Sequence, residues 1–144
     1  MLLLPLILTA CALHRVGLVE VVEEGPVRIV SVDGRDKLLL LGEAARLRYL
    51  DGHLVEVDGT KTLGRLRVGR WRVLEGPRGL PVWYGPVQVL GSQVGIQDLG
   101  SGSLVYVDQR AAERLRSKVG QWILVEGYVE GPQRVVVLHW RSLD

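Results

Sequence analysis

Residues 27–41 read VRIVSVDGRDKLLLL, and this stretch determines the fold class that we expect. Two apolar runs flank Asp33-Gly34, and Asp-Gly between apolar runs is a strong signal for a β-hairpin closed by a type I′ turn. Apolar residues make up 47% of the chain and Phe is absent, so Val, Leu, Ile and Trp must form the core. These residue types favour strands. The sequence therefore predicts a mainly β protein.

The hairpin belongs to a longer unit of five strands and one helix. A strand at 18–22 precedes it, apolar residues at helical spacing follow at 43–50, and strands at 54–58 and 66–74 complete the unit. The second half of the chain predicts the same order, with elements at 82–84, 87–96, 104–107, 109–119, 122–129 and 135–140. Asp108 is the expected N-cap of its helix. Each half therefore has the order β-β-β-α-β-β.

Glycine landmarks recur between the two halves. Gly25-Pro26-Val27 returns as Gly85-Pro86-Val87, sixty residues further on. The pair Gly52 and Gly59 returns as Gly120 and Gly127, at a spacing of 68. The drift implies an insertion, which we place around 91–102, where Gly and Ser cluster. An internal repeat of this kind indicates two copies of one structural unit.

The order of elements resembles the OB-fold, a five-stranded barrel with one helix between its third and fourth strands. The resemblance implies two small OB-like barrels in tandem, at 16–75 and 82–144, joined by a linker at 76–81. A single larger antiparallel barrel or a sandwich is the alternative. Residues 135–138 are apolar on both faces. They predict either the contact between the two halves or a fully buried central strand.

The N-terminus carries an apolar run that ends at the single cysteine. Residues 2–13 carry no charge. This run is too short for a membrane-spanning helix, which needs roughly 20 residues, but it matches the h-region of a signal peptide, which has about 7–15. Leu8-Thr9-Ala10-Cys11 resembles the lipobox of bacterial lipoproteins. By that resemblance, 1–10 is a cleaved signal peptide, Cys11 carries a diacylglyceryl group and an N-terminal acyl chain, and 11–15 is a short tether. The alternative is a buried cysteine on an apolar strand.

The lipoprotein resemblance also implies a location. A tether of this length reaches only about 15 Å, so the first barrel is expected to lie against the membrane. Ala12 stands where an Asp favours retention in the inner membrane of enterobacterial lipoproteins. We therefore expect a lipid-anchored protein of the cell envelope, on the periplasmic face of the outer membrane.

The chain offers no recognisable catalytic set. His14, His53 and His139 have no partners at zinc-ligand spacing, and structural or surface roles are expected for all three. The Ser-Gly cluster at 100–103 lacks the G-x-S-x-G pattern, and no phosphate-binding loop is present. We therefore expect a protein that is not an enzyme, with no cofactor and no metal.

A run of basic residues marks the last strand of the first half. Alternation puts two arginines on one face, and a bulge at Gly69 would bring two more onto it. The arginine stripe comprises Arg65, Arg67, Arg70 and Arg72, with Trp71 beside it. It is either a binding site for an anionic ligand or an ordinary solvated strand face.

Two functions remain open at this point. The preferred one is an adaptor that holds an envelope protein through a strand edge or an inter-domain groove. The alternative is a binder of lipid phosphate, lipopolysaccharide or nucleic acid through the arginine stripe. Nucleic acid is disfavoured as a ligand because a protein exported from the cytoplasm meets little of it. The net charge of +2 does not by itself imply a polyanionic partner.

Overall fold

Strands dominate the computed structural model, which describes residues 10–144. The prediction of a mainly β chain is confirmed, and the strands form two closed sheets of five. The lipobox residues Leu8 and Thr9 and nearly all of the expected signal peptide lie outside the described residues. Within 10–144, no helix has the length and apolar character needed to cross a membrane.

The first barrel follows the order β1-β2-β3-β5-β4 and closes where β4 pairs with β1. All neighbouring strands are antiparallel except β3 and β5. Its elements are β1 Cys11–Val21, β2 Val27–Val30, β3 Lys37–Gly42, a 3-10 helix Ala45–Tyr49, β4 Leu54–Thr62 and β5 Arg65–Glu75. Alternate residues of these strands, such as Ile29, Val55 and Leu66, are buried in its core.

The second barrel repeats this plan in the order β10-β8-β7-β6-β9, with β8 and β10 as the parallel pair. Its elements are β6 Val82–Leu90, β7 Gln93–Gln97, β8 Leu104–Val107, α1 Gln109–Leu115, a 3-10 helix Arg116–Lys118, β9 Trp122–Gly131 and β10 Arg134–Ser142. Asp108 caps α1 as predicted, because its carboxylate accepts a hydrogen bond from the Ala111 N–H.

The helix expected at 43–50 forms only a short 3-10 helix. Its N-cap position is Ala44, whose side chain offers no acceptor to the free N–H groups, whereas the α-helix of the second half has Asp108. Leu47 and Leu50 are nevertheless fully buried, so the predicted apolar face is present. Packing therefore holds these residues in place without a capped helix.

The hairpin at 27–41 forms, but the prediction of a type I′ turn is wrong. Only Gly34 of the Asp33-Gly34 pair adopts a positive φ, and the connection runs from the end of β2 to Lys37. The Asp33 carboxylate instead accepts hydrogen bonds from the Ser31 hydroxyl and the Arg35 N–H, at 2.5 and 3.0 Å. The turn is therefore longer than predicted, and side-chain hydrogen bonds stabilise it.

The repeated glycines Gly59 and Gly127 share one physical reason. A Cβ at Gly59 would lie 2.0 Å from the Arg67 carbonyl oxygen, and one at Gly127 would lie 1.8 Å from that of Val136. Each glycine adjoins a register shift in the long hairpin of its own barrel. This pair of the repeat therefore marks equivalent close approaches of two strands. The other repeated motif is not equivalent in the structure, because Gly25-Pro26 precedes β2 whereas Gly85-Pro86 lies within β6.

Residues 11–15, expected to form a tether, belong to β1. They pair with β4 from Cys11 opposite Lys61 to Arg15 opposite Val57. Leu13 packs against the first core, which explains why this segment is held in the sheet. Cys11 itself is exposed, so the alternative of a buried cysteine is wrong.

The two barrels are joined through β9. Ile123 and Val125 face the core of the second barrel, whereas Leu124 on the opposite face joins the core of the first. Residues 135–138, proposed for this contact, lie elsewhere: Val135 is buried in the second core and Leu138 is 50% exposed. Both runs are apolar on both faces, so periodicity could not tell them apart. The 76–81 linker is a compact turn, in which the Gly76 N–H donates to the Leu80 carbonyl.

A buried polar pair crosses the junction of the barrels. His53 from the start of β4 is fully buried, and its Nε2 lies 3.3 Å from Oε1 of Glu126 in β9 without forming a hydrogen bond. Arg78 donates to the other Glu126 oxygen at 3.2 Å. Burial lowers the pKa of His53 below its ordinary value of 6.5, Arg141 acts in the same direction, and the Asp51 carbonyl and Glu126 oppose both. Proton uptake by His53 is therefore easier in the unfolded chain.

We predict that the free energy of unfolding falls as the pH drops from about 7 to about 5. The sign follows from the lowered pKa: the stability contributed by neutral His53 is present above 6.5 and is lost as the pH falls through the folded-state value. Urea unfolding followed by tryptophan fluorescence at several pH values measures this slope. In His53→Gln the slope should flatten; an unchanged slope in that variant would assign it to other groups.

Candidate functional site

The outer face of β5 carries the arginine stripe. Asp58 pairs with Arg70 and Gly59 pairs with Val68, so Gly69 is the extra residue of a bulge, as the sequence predicted. Because of this bulge, all four arginines are exposed on one face, while Leu66, Val68 and Val73 are buried on the other. Trp71 is half-buried on the core side.

Acidic partners divide the arginine stripe into two halves. Arg70 donates to Asp58 at 3.1 Å and Arg72 donates to Glu56 at 2.8 Å, each across the β4–β5 pair. His14, opposite Asp58 on β1, adds a 2.7 Å hydrogen bond to that carboxylate. His14 and then Arg70 lower the pKa of Asp58. The charges of Arg70 and Arg72 are therefore balanced locally.

Arg65 and Arg67 have a different environment. On β4, Thr62 lies opposite Arg65 and Thr60 lies opposite Arg67. Arg70 and Arg72, by contrast, lie opposite acidic residues. Within the part of the chain that the structure describes, neither side chain forms an ion pair. These two guanidinium groups carry uncompensated charge at one end of the sheet.

A groove of about 710 Å³ lies between the two barrels, and the paired half of the stripe borders it. The first barrel supplies Glu43, Ala45, Arg46, Glu56, Asp58, Gly69, Arg70, Trp71 and Arg72, and the second supplies Tyr84, Leu99 and Trp122. Arg65 and Arg67 are not among its lining residues. The groove thus unites three of the five residues predicted for binding and separates the other two from them.

Two stacked rings form the floor of the groove. Trp71 and Tyr84 lie with their centroids 5.5 Å apart and their planes at 19°. The Tyr84 hydroxyl accepts a hydrogen bond from the buried Val73 N–H at 3.3 Å, and the Tyr84 N–H donates to Asp98 at 3.1 Å. Burial raises the pKa of the Tyr84 hydroxyl. This tyrosine therefore connects β5 of one barrel to the loop after β7 of the other.

A third ring is held by charge at the edge of the groove. The Arg46 guanidinium lies 3.7 Å from the centroid of the Trp122 ring and donates to Asp144 at 3.1 Å. Asp144 also accepts from the Trp122 N–H at 2.7 Å, and this bond is the main cause of its lowered pKa. The three groups fix one another.

The sequence offered no signal for Tyr84, Leu99, Trp122 or Arg46. Each reaches the groove only because the second barrel packs against the first, and no spacing along the chain records that contact. His14 was assigned to the tether, so its place beside Asp58 was also missed. Only the register of β1 against β4 could have revealed it.

His14, Glu56 and Asp58 bring three potential ligand atoms within 4.8 Å of one another. Each carboxylate is already paired with an arginine, at 2.8 and 3.1 Å. A divalent cation there would meet two guanidinium groups at close range, which is electrostatically unfavourable. We therefore describe this cluster as an ion-pair network.

Comparison with known proteins leaves the family open. No family model matches the chain, and no curated protein matches it. Among solved structures, one titled "Structure of yeast Ssd1, a pseudonuclease" aligns with 90% of this chain and 23% of its own, at 12% sequence identity and a TM-score of 0.33. The chain thus spans less than a quarter of that structure. A likeness of this degree carries no argument about fold or activity.

We predict that Tyr84→Phe lowers the free energy of unfolding by about 1–3 kcal/mol, because it leaves the buried Val73 N–H without its acceptor. The stacked ring is retained, so the groove should keep its shape. Denaturant unfolding measures the change. Tyr106→Phe is the matched control, since no side-chain hydrogen bond of Tyr106 is found within 10–144. Equal stability of the two variants would contradict the inter-barrel role of the hydroxyl.

Proposed function

We propose that this chain is a non-catalytic adaptor of the bacterial cell envelope that holds a protein partner in the groove between its barrels. The observation that carries the proposal is the groove itself, with three aromatic rings, Trp71, Tyr84 and Trp122, around one cavity. Aromatic residues and arginine are enriched at protein interfaces and supply most of their binding energy. A preformed site of this composition favours an extended peptide segment.

The charges around the groove favour a peptide over a polyanion. Three acids and three arginines line it, and Arg70 and Arg72 already bind carboxylates of the same sheet. A phosphate would have to displace those carboxylates. A peptide can instead place apolar side chains on the rings and exchange single charges with the rim.

Two acids at the groove also support the absence of catalysis in this proposal. Asp58 lines the groove and Asp144 lies at its edge; both accept hydrogen bonds from cationic or backbone donors, and these bonds lower the pKa of each carboxyl group. Carboxylates stabilised in this way are poor general bases.

We further propose that the barrels are tandem OB-type modules. In both, the third strand runs parallel to the fifth, and a helical segment stands between the third and fourth strands. The matching close approaches at Gly59 and Gly127 support a common ancestry of the two units.

The proposed anchor is the acylated Cys11, as in the lipoproteins that the N-terminal segment resembles. Cys11 is exposed at the first residue of β1, so its thiol is clear of both cores. Since β1 starts at this residue, an attached lipid would hold the first barrel directly against the bilayer. Ala12 supports the outer membrane by the same resemblance.

We predict that mass spectrometry of the protein from its native membranes finds a chain that begins at Cys11 and carries diacylglyceryl and acyl groups. Cys11→Ser should remain unprocessed, because the thiol that accepts the lipid is gone. An intact N-terminus with an unmodified thiol would contradict the anchor.

We predict that Leu99→Asp abolishes capture of the envelope partner, because it places a charge on the apolar wall of the groove. Leu90→Asp is the matched control: both leucines belong to the second barrel and are 47% exposed, but only Leu99 lines the groove. Photo-cross-linkers at the two positions, tested in intact envelopes, should capture a protein from position 99 alone. Equal capture from both positions would contradict a groove-bound partner.

A second candidate function has its own support. Arg65 and Arg67 form no ion pairs within the described residues, so they remain available to an anion. This surface is separate from the groove and fits the alternative of an anion-binding strand.

A further inference from the structure

Three strand ends meet at one end of the first sheet. β1 begins at Cys11, β4 ends at Thr62 and β5 begins at Arg65, with Cys11 opposite Lys61 and Thr62 opposite Arg65. The turn between β4 and β5, Leu63-Gly64, is therefore next to the point where the chain enters the barrel.

The same end of the sheet is basic. Residues 59–69 contain Lys61, Arg65 and Arg67 and no acid. The start of β3 lies alongside, since the Leu39 N–H donates to the Gly64 carbonyl. The turn before β3 contributes two acidic and two basic residues within 33–37, so it does not change the net charge of this end of the sheet. All three cations are exposed, and none of them forms an ion pair within the described residues. Arg65 and Arg67 lie on the outer face of the sheet, whereas Lys61 lies opposite Leu66 on the other face, at the rim of the barrel.

The tip of the turn is apolar. Leu63 is 80% exposed, the highest value among the large apolar residues of the described chain. A single exposed leucine needs no explanation by itself. Here it stands between unpaired cations, a combination typical of segments that insert an apolar side chain into a bilayer and bind headgroup phosphates with their basic neighbours.

The chain that precedes β1 points to the same partner. Residues 2–8 are entirely apolar, and the proposed acyl chains on Cys11 would replace them after processing. In either form, a hydrophobic group is covalently attached at the end of the sheet that carries Leu63 and the cations. A bilayer reached by that group would meet this surface first.

We propose that the β4–β5 turn is a second membrane contact, in which Leu63 enters the headgroup region and Lys61, Arg65 and Arg67 bind the phosphates of anionic lipids. The inference rests on the proposed envelope location but does not require acylation of Cys11. It divides the arginine stripe by function: the unpaired half contacts lipid, and the paired half borders the groove.

The contact also sets the distance of the groove from the membrane surface. Arg70 is five residues along β5 from Arg65, and at about 3.3 Å per residue the groove begins roughly 15 Å from the lipid phosphates. The proposed acyl chains on Cys11 would by themselves keep the protein on the membrane. The turn would add a second contact that orients the barrels on the surface.

Vesicle sedimentation tests the contact in the full chain with Cys11→Ser, so that acylation cannot contribute. The probes are vesicles of phosphatidylcholine alone and of phosphatidylcholine mixed with phosphatidylglycerol, at about 0.1 M salt, where charges interact over about 10 Å. The ratio of the two partition coefficients cancels the contribution of the apolar N-terminus. It reports the preference for anionic lipid.

Arg65→Ala with Arg67→Ala should reduce this ratio roughly 30-fold, or about fivefold for each cation. Arg70→Ala with Arg72→Ala removes the same charge from the same strand face and should reduce it less than about threefold. Leu63→Ser should weaken binding to both kinds of vesicle by roughly fivefold and leave the ratio unchanged. Thermal unfolding verifies that each variant is folded.

An unchanged ratio after loss of Arg65 and Arg67, or equal effects of the two double variants, would overturn the contact. Competition by inorganic phosphate or a short oligonucleotide would also overturn it, in favour of a soluble anion. Failure here leaves partner capture at Leu99 and acylation of Cys11 untouched, because those are measured separately. Conversely, a preference for anionic lipid that depends on these arginines would stand even if Cys11 proved unmodified.

Discussion

Tyr84, Leu124 and Leu143 lie in the second half of the sequence, yet they are buried in the core of the first barrel. This packing of one barrel onto the other is the constraint on which the site depends. A barrel of this size alone buries a limited share of its surface. Shared burial therefore stabilises both halves and fixes the angle between them. The groove is the gap that remains on one side of this contact.

The strand β9 makes the shared burial possible because both of its faces are covered. Ile123 and Val125 point into one core and Leu124 into the other. Glu126 continues on the face toward the first barrel and meets His53 there. A polar pair in such a place contributes little to net stability. The junction thus combines an apolar contact with a polar one that depends on orientation.

The division of the arginine stripe follows from strand pairing. All four arginines share a face because of the bulge at Gly69, but what lies opposite each of them differs. Glu56 and Asp58 neutralise the arginines near the groove, whereas Thr60 and Thr62 leave the other two with their full charge. One strand therefore presents a balanced surface to the groove and a basic surface to the end of the sheet. Sequence alone suggested a uniform stripe, because it does not show which residues face it on β4.

The sequence by itself determined what depends on local pattern. Apolar alternation predicted strands, the recurrence of Gly59 as Gly127 marked where two strands approach closely in each barrel, Asp108 marked the start of α1, and Gly69 marked the bulge. All of these are properties of a few consecutive residues. The predictions of the turn at Asp33-Gly34 and of the helix at 43–50 were wrong in detail. Hydrogen bonds and packing outside the local pattern determined the conformations of both segments.

The tertiary structure alone decided which surfaces meet. It selected β9 over residues 135–138 as the strand between the barrels, extended β1 back to Cys11, and brought Trp122, Tyr84 and Arg46 to Trp71. The physical reason is that several segments were equally apolar. The choice among them depends on the shapes of two closed barrels, and no periodicity along one chain encodes that fit.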